Sequence, residues 1–334
     1  MAAISGIFTL LPDRRVPVTA LDELGELGEA DRQLIASLGV ESVRDAGGRS
    51  ASDLAAAAAR GLLAEHSGTL PPPGAFLLVG GRFPELLMAS EATRVQRDIG
   101  LDGAMALGVS ELGCVSVSAA LMTARGLLAA DPALSGVLIA HGSRPPGPRR
   151  FRRPVTVNGD GAMALYLSRE GPLRILDLAL ETNGNYWDLF QVDYLGRPYD
   201  SWREVCTDIR RYSFSLAVES KRRFARLNDT LLARQGKTLE DVDHFVMQNI
   251  SSGAFDFYED AFDISIAETC RRNLREFGHL GSTDIVLNLR TGLEEKEFLP
   301  GDLVLVMNNS PVAAWSSMLV EISEPLPSPS APAT

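Results

Sequence analysis

The sequence is poor in the residues that build metal centres and disulfide frameworks. It has only three cysteines, Cys114, Cys206 and Cys270, and only four histidines among its 334 residues. The cysteines are far apart and form no CxxC pair, and the histidines form no HExxH or HxxxH motif. This pattern argues against a disulfide scaffold and a zinc site, and it is typical of free thiols in a reducing compartment. We therefore expect no bound metal.

Long apolar runs and an excess of positive charge are also missing. No stretch approaches the roughly 20 apolar residues that are needed to span a bilayer, and the N-terminus shows no signal-peptide pattern. The net charge is -11 at pH 7, which disfavours nucleic acids and anionic membranes as partners because both require a basic surface. We expect a cytoplasmic protein that binds neither.

The chain does contain short apolar runs that alternate with amphipathic stretches, which is typical of α/β architecture. Six segments are predicted to be buried strands: 75–79, 136–140, 162–167, 175–180, 245–247 and 303–307. Four segments are predicted to be helices: 52–64, 117–128, 212–235 and 265–277. Residues 324–334 are rich in Pro, Ser and Ala and are expected to be a disordered tail.

Cys114 lies directly before the helix predicted at 117–128, with Gly113 on its other side. A thiol at a helix N-terminus is close to unpaired backbone N–H groups, which favour the thiolate. Glycine lets the backbone turn sharply and approach a ligand. Taken alone, this pattern suits a buried structural cysteine at least as well as a nucleophile.

The order of segments after Cys114 is more specific. A strand at 136–141, an arginine-rich loop at 143–154 and an Asn-Gly-Asp-Gly-Ala turn at 158–162 follow one another. Together with the segments 4–12, 39–60 and 301–322, this co-linear set resembles the ketoacyl-ACP synthase III family of the thiolase-like fold. The resemblance implies two similar α/β halves, here 1–170 and 171–323, packed as α-β-α-β-α layers.

The same resemblance implies substrates and partners. Members of the family use acyl-CoA or an acyl carrier protein thioester as donor and hold no permanently bound cofactor. They form homodimers by continuing the central sheet across a two-fold axis. For this chain we therefore expect a homodimer, a CoA or phosphopantetheine thioester as donor and a small-molecule acceptor.

Two positions depart from the pattern of the condensing members, in which a histidine and an asparagine hold a malonyl thioester while it loses carbon dioxide. Gln248 stands at the histidine position and His279 stands at the asparagine position. Glutamine can donate a hydrogen bond but supplies neither a proton nor a positive charge. Decarboxylative condensation in the usual manner is therefore not expected.

His279 predicts a different chemistry, because an imidazole can deprotonate an incoming nucleophile near neutral pH. Asp284 follows five residues later, and it can orient the imidazole if the stretch is a loop that leads into a helix. The result is a Cys-His-Asp relay with Cys114 as nucleophile. Asn309 is a second candidate for the orienting role.

The oxyanion site is the least defined part of this interpretation. The family has a glycine-rich turn near the C-terminus, whereas this sequence has Pro311, which carries no N–H. The donors are then expected to be the N–H of Cys114 with the N–H of Ser310 or the side chain of Asn309, and Gln248 is a further supporting residue.

The sequence therefore leaves three hypotheses for function. The first is an acyltransferase of the variant branch that serves secondary metabolism, including polyketide and antibiotic pathways. It moves an acyl group through Cys114 to an alcohol, amine or thiol. The second is a carbon–carbon bond-forming enzyme of the ketosynthase III type. The third is a non-catalytic acyl-binding partner, which the departures at Gln248 and Pro311 keep open.

Overall fold

The computed structural model describes residues 2–324, so all but the first residue of the tail expected at 324–334 lies outside the described residues. The strands are β1 (Ala2–Leu10), β2 (Arg14–Pro17), β3 (Ser42–Asp45), β4 (Ala75–Val79), β5 (Met105–Val109), β6 (Val137–Ser143), β7 (Phe151–Arg152), β8 (Thr156–Val157), β9 (Gly161–Ser168), β10 (Leu173–Thr182), β11 (Phe190–Gln191), β12 (Val205–Cys206), β13 (His244–Met247), β14 (Leu303–Ser310) and β15 (Ala314–Ile322). The α-helices are α1 (Glu29–Ser37), α2 (Ala51–Glu65), α3 (Glu91–Asp98), α4 (Ser116–Ala130), α5 (Ala217–Arg234), α6 (Ser252–Phe262), α7 (Glu268–Phe277) and α8 (Asp284–Glu294).

Nine strands form the main sheet in the order β13-β14-β15-β10-β1-β9-β6-β4-β5. Two runs in it repeat the same pairing. In the first, β4 is parallel to β6, β6 is antiparallel to β9, and β9 is antiparallel to β1. In the second, β13 is parallel to β14, β14 is antiparallel to β15, and β15 is antiparallel to β10. The two runs meet only where β1 and β10 pair over three residue positions.

Alternation of side chains along the strands explains the layers, because successive residues of a strand point to opposite faces. In β4, Leu77 packs in the core that contains α4, whereas Phe76 and Leu78 pack with α2. In β14, Val304 faces that same central core and Leu305 faces a separate outer cluster. Both faces of the sheet are therefore covered, and the predicted thiolase-like α-β-α-β-α layering is confirmed.

Most predicted elements are present, and their limits differ in informative ways. All six predicted strands are strands, and the limits of the segment 75–79 are those of β4. The helix predicted from 52 begins after Ser50, because Ser50 and Asp53 form a reciprocal capping box. The helix predicted from 212 is continuous but opens with a π-helical turn, Arg211–Leu216.

α4 and α8 occupy equivalent places in the two runs, since α4 leads to β6 and α8 leads to β14. Each helix is preceded by a short 3₁₀ turn, Gly113–Val115 and Gly281–Thr283, and the two turns contact each other. Gly113 and Gly281 have φ values of 55° and 61°, a left-handed conformation that glycine adopts without steric cost. Two helix N-termini therefore meet inside the protein.

α4 is an apolar helix. The window 113–130, which is α4 with its preceding turn, is long and apolar enough to cross a bilayer by length and composition. Half of that window is buried inside the protein, and core helices pass the same test. The observation is weak evidence for a membrane span, and the expected cytoplasmic location stays a prediction.

Candidate active site

The two helix N-termini bring Cys114, His279 and Asp284 into one hydrogen-bonded row. The Sγ atom of Cys114 lies 3.1 Å from Nε2 of His279, and Nδ1 of His279 lies 2.6 Å from Oδ2 of Asp284. Cys114 is 5% exposed, and the side chains of the other two are fully buried. Among the candidates for orienting His279, it is Asp284 that contacts the imidazole.

His279 is fixed by the Asn-Gly-Asp-Gly-Ala turn. Its backbone N–H donates to the carbonyl of Val157 at 2.9 Å, and its carbonyl accepts from the N–H of Gly159 at 3.1 Å. Asp160 anchors this turn, because its carboxylate accepts two hydrogen bonds from Arg150, at 3.0 and 3.1 Å. The turn therefore does more than reverse the chain: it carries the strand-like pairing that aims the imidazole at α4.

Asp284 is held as rigidly as the histidine that it orients. It opens α8, and its carboxylate accepts from the N–H groups of Leu280 at 2.7 Å and Asn249 at 3.0 Å. A carboxylate is favoured in the first turn of a helix by the unpaired N–H groups there. Because Nδ1 of His279 faces this anion, the proton resides on Nδ1 and Nε2 is left to exchange a proton with Cys114.

The charges of the site favour an ion pair between thiol and imidazole. Burial alone would raise the pKa of Cys114, but the positive charges of His279, Arg152 and Arg82 lower it below its ordinary value of 9.0. Burial alone would lower the pKa of His279, but the Cys114 thiolate and Asp284 raise it to about 9. Both shifts favour the ion pair, a thiolate beside an imidazolium, over the neutral pair.

The backbone of Cys114 is positioned to stabilise a developing oxyanion. Its carbonyl accepts from Nδ2 of Asn308 at 2.9 Å and from Oγ of Ser282 at 3.2 Å. The first helical hydrogen bond of the turn joins the N–H of Val115 to Leu112, so the N–H of Cys114 precedes it and has no acceptor within residues 2–324. An unpaired N–H at a helix start is a suitable donor to an oxyanion.

Gln248 and Asn309, two of the supporting residues that the sequence suggested, are bonded to each other. Gln248 is 1% exposed, and both ends of its amide are bonded to Asn309: Oε1 accepts from the backbone N–H at 2.5 Å, and Nε2 donates to Oδ1 at 2.8 Å and to the carbonyl. These two residues therefore serve each other, and their bonds do not involve Cys114 or His279. A glutamine amide has two N–H groups, and both are already used here.

Ser310 is the supporting residue that does lie beside the nucleophile. It packs against Gly113, where a Cβ atom added to the glycine would be 3.6 Å from the Ser310 hydroxyl. That hydroxyl is buried and has no hydrogen-bond partner in the part of the chain that the structure describes. An unpaired buried hydroxyl is costly, so its position next to Cys114 is consistent with a second oxyanion donor.

Cys114 opens into a cavity of about 960 Å³. The cavity wall also contains Arg152 of the arginine-rich loop and three side chains that the sequence did not single out as functional: Arg82, His141 and Glu204. A larger surface depression, about 1250 Å³, lies along the far part of α4 next to residues 168–172. It contains none of the row of three residues, so the smaller cavity is the candidate site.

His141, a residue of β6, also lines the cavity. Its Nδ1 faces the carbonyl of Val79 at 3.0 Å, which places the ring proton on Nδ1 and leaves Nε2 as a hydrogen-bond acceptor. Burial lowers the pKa of His141 to about 4, so the ring is neutral at pH 7. Within residues 2–324, no cluster of three or more His, Cys, Asp or Glu side chains could hold a metal ion.

Comparison with known proteins finds similar enzymes. Residues 232–322 match the family model described as 3-oxoacyl-[acyl-carrier-protein] synthase III C terminal. The chain is 28% identical to a β-ketoacyl-[acyl-carrier-protein] synthase III of Cereibacter sphaeroides, over 96% of this chain and 98% of the relative. It is 27% identical to the acetoacetyl CoA synthase NphT7 of a Streptomyces species, over 95% and 98% of the two chains.

A solved structure extends the likeness to the fold. ChlB3, an acyltransferase by its name, superposes with a TM-score of 0.81 at 23% identity, over 97% of this chain and 98% of that one. Relatives and structure alike span nearly the whole length of the chain. With its layered fold, its C-terminal family match and its buried cysteine at a helix start, this chain has the thiolase-like fold and is similar to ketoacyl-ACP synthase III proteins.

Proposed function

We propose that this protein is an acyltransferase that moves an acyl group from CoA or an acyl carrier protein to an alcohol, amine or thiol acceptor. The observation that carries the proposal is the buried row Cys114–His279–Asp284, in which a nucleophile, a base and an orienting carboxylate follow one another. Relatives named as acyltransferase and synthase enzymes support an acyl thioester as the donor.

In the first step the Cys114 thiolate attacks the carbonyl carbon of the donor thioester. A carbon–sulfur bond forms, and the negative charge moves to the carbonyl oxygen, which the N–H of Cys114 stabilises. When the tetrahedral intermediate collapses, the donor sulfur leaves as a thiolate and takes the proton of the His279 imidazolium. The products are an acyl-cysteine, a free CoA or carrier thiol, and a neutral His279.

In the second step neutral His279 acts as a base. Nε2 takes the proton of the acceptor while its oxygen, nitrogen or sulfur attacks the acyl carbon. The bond to Sγ then breaks, the Cys114 thiolate is released, and the imidazolium that stabilises it is restored. Each of the two steps then needs only one proton transfer, from His279 to the leaving thiol and from the acceptor to His279. The acyl-cysteine also lets a buried site exclude water between the steps.

Two features favour an acceptor that carries a proton on a heteroatom. His141 presents Nε2 as a neutral acceptor in the same cavity, and such a group can hold an O–H or N–H donor. Gln248 stands where the condensing members have a histidine, and its amide is fully used by Asn309. The two-residue grip on a malonyl thioester is therefore lacking at these positions.

Intact-protein mass spectrometry with a panel of acyl-CoA thioesters tests this function. Wild type is expected to gain the acyl mass on Cys114, and Cys114→Ala is expected to gain none. Cys206→Ala is the matched control, because Cys206 is a free, half-buried thiol outside the cavity lining. His279→Ala should retain its acyl group when alcohols or amines are added, whereas wild type should discharge it.

A carbon–carbon bond-forming reaction is the second candidate, and the synthase names of the relatives favour it. In that case neutral His279 would act on a carbon acid instead of a heteroatom. Release of carbon dioxide or appearance of a ketoacyl product from malonyl-CoA would support condensation. A protein that never gains an acyl mass, whatever the thioester, would instead be a non-catalytic acyl-binding partner.

A further inference from the structure

Arg152 is a buried guanidinium that faces the cavity without a hydrogen bond. Its side chain is 5% exposed and belongs to the same cavity wall as Cys114. Within residues 2–324 its Nε is buried and has no hydrogen-bond partner. The nearest anion is Glu204, at 3.7 Å from Nε to Oε2, which is too long for a hydrogen bond.

The neighbouring Arg82, by contrast, has hydrogen-bond and ion-pair partners for its guanidinium. Arg82 forms an ion pair with Oε1 of Glu204 at 2.8 Å and donates to Oδ1 of Asn158 at 2.8 Å and to the carbonyl of Arg144 at 2.9 Å. Glu204 also accepts from Nδ2 of Asn158 at 3.2 Å. Glu204 is therefore already engaged by Arg82 and Asn158, and Arg152 has only its weaker attraction.

The charges of this group do not cancel. Burial alone would raise the pKa of Glu204, but Arg82 and Arg152 lower it below its ordinary value, so the carboxylate stays ionised. Two guanidinium groups then face one carboxylate, and the remaining positive charge also lowers the pKa of Cys114. The Phe190 ring, 5.7 Å from the guanidinium of Arg152, adds a cation–π contact but accepts no conventional hydrogen bond.

A buried charge without hydrogen bonds is costly to a folded protein, and such groups concentrate where a ligand completes them. The planar fork of a guanidinium matches a carboxylate, with which it forms two parallel hydrogen bonds. Its position in the wall that also holds Cys114 places that match in the same cavity as the reacting acyl group.

We propose that Arg152 binds a carboxylate of the substrate, so that one of the two molecules joined through Cys114 is an acid. This inference rests on the proposed acyl transfer and specifies its substrate class. The carboxylate has two sources: the acyl group, as in a dicarboxylic acyl thioester, or the acceptor, as in a hydroxy acid or an amino acid. In both, the residue selects for a negative charge that neither Cys114 nor His279 recognises.

The first arm of the test compares matched thioesters. The rate of acyl gain on Cys114 is measured with butyryl-CoA against succinyl-CoA and with propionyl-CoA against malonyl-CoA, for wild type, Arg152→Gln and Arg153→Gln. Arg153 is the matched control, because it is half exposed, pairs with Asp31 at 2.6 Å and is not part of the cavity wall. If the acyl group carries the acid, wild type loads the dicarboxylic partner about tenfold faster or more, and only Arg152→Gln loses that preference.

The second arm compares acceptors. Acetyl-enzyme is challenged with 3-hydroxybutyrate against 2-butanol and with β-alanine against propylamine. If the acceptor carries the acid, wild type discharges to the carboxylated partner about tenfold faster or more, and only Arg152→Gln loses that preference. Because Arg152 also lowers the pKa of Cys114, each variant is judged by the ratio of its rates for the charged and uncharged partners, and a urea unfolding transition that matches wild type shows that Arg152→Gln is folded.

Two outcomes would show that Arg152 does not bind a carboxylate of the substrate. Equal rates for the charged and uncharged members in both arms, with acyl gain on Cys114 intact, would mean that Arg152 recognises no carboxylate. A preference that survives in Arg152→Gln would assign the recognition to another residue and would equally overturn it. Failure of the proposed function looks different, because then no thioester of either kind would add mass to Cys114.

Discussion

The Nε2 atom of His279 lies 3.1 Å from the Sγ atom of Cys114, with no other group between them. Of the favourable influences on the pKa of His279, the charge of the Cys114 thiolate is the largest, and it offsets burial to bring the value to about 9. Acylation of Cys114 removes that charge. The same imidazole is therefore an acid before the acyl group arrives and a base afterwards, and both states can be tested.

Alkylation of Cys114 is expected to begin at a lower pH than for an ordinary thiol. The thiolate is the reactive form, and the pKa of Cys114 is lowered from 9.0 by His279 and the two nearby arginines in spite of burial. The rate of iodoacetamide addition, followed in a Cys206→Ala background, should reach its midpoint below pH 9.0. In His279→Ala burial remains while the main opposing charge is gone, so the midpoint should move upward. A midpoint that stays in place would remove His279 from the activation of the thiol.

Discharge of the acyl-enzyme should show the complementary shift. His279 has a pKa of about 9 only beside the thiolate, and in the acyl-enzyme burial acts against a smaller positive influence, so the pKa falls. The single-turnover rate of discharge to an amine or alcohol should rise with pH and level off, with its midpoint below about 9. A midpoint at or above that of the free enzyme would contradict the acid-to-base change.

Asp284→Asn should slow discharge by about 10² to 10⁴-fold, because the imidazole loses the anion that fixes its tautomer. Asp284→Ala should in addition lower the free energy of unfolding by about 3–5 kcal/mol, since a buried charged pair is broken and two N–H groups lose their acceptor. Asp302→Asn is a matched control: Asp302 also faces a histidine, His244, at 2.9 Å, but outside the cavity wall. Equal losses in both Asn variants would indicate a general effect on folding.

Gln248→Ala should cost stability but not acyl gain. The substitution leaves the backbone N–H of Asn309 without its acceptor, which is expected to lower the free energy of unfolding by about 1–3 kcal/mol. Urea denaturation measures this loss, and mass spectrometry measures loading of Cys114. If loading of Cys114 falls sharply while the folded fraction of Gln248→Ala is unchanged, Gln248 takes part in the reaction.

His141→Leu should affect the second step only. It removes the neutral Nε2 acceptor in the cavity wall, and loss of one uncharged hydrogen bond corresponds to about a 2- to 10-fold slower discharge to alcohols and amines. The loading rate of Cys114 should match wild type, because His141 takes no part in forming the thiolate. Equal slowing of both steps would show that the ring only supports the end of β6.

The sequence predicted the strands of the sheet and the position of Cys114 because these depend on local patterns. A short apolar run such as 75–79, bounded by Pro and Gly, predicts a buried strand from its own residues. The small residues after Cys114 suit a central helix. The sequence alone could not decide whether Asp284 or Asn309 orients His279. That choice depends on the N–H groups of Leu280 and Asn249, which the fold brings to one carboxylate.

The residues that were missed share a physical reason. Arg82, Glu204 and His141 come from separate loops and strand ends, and none stands at a spacing that marks a site. Gln248 was expected to support the chemistry because of its place in a motif, whereas its amide is used by a residue 61 positions away. Pairings over such distances are set by the packing of the two halves, which no local pattern encodes.

The turns Gly113–Val115 and Gly281–Thr283 contact each other. The reactivity of Cys114 therefore depends on how the two halves of the chain pack together. The part of the chain with the first run of strands contains Cys114, and the part with the second run contains His279 and Asp284. A chain cut between β9 and β10 would therefore yield two inert fragments, and recovery of thiolate reactivity on mixing them would report their docking to within a hydrogen bond. Both proton transfers of the proposed mechanism therefore depend on contact between the two halves.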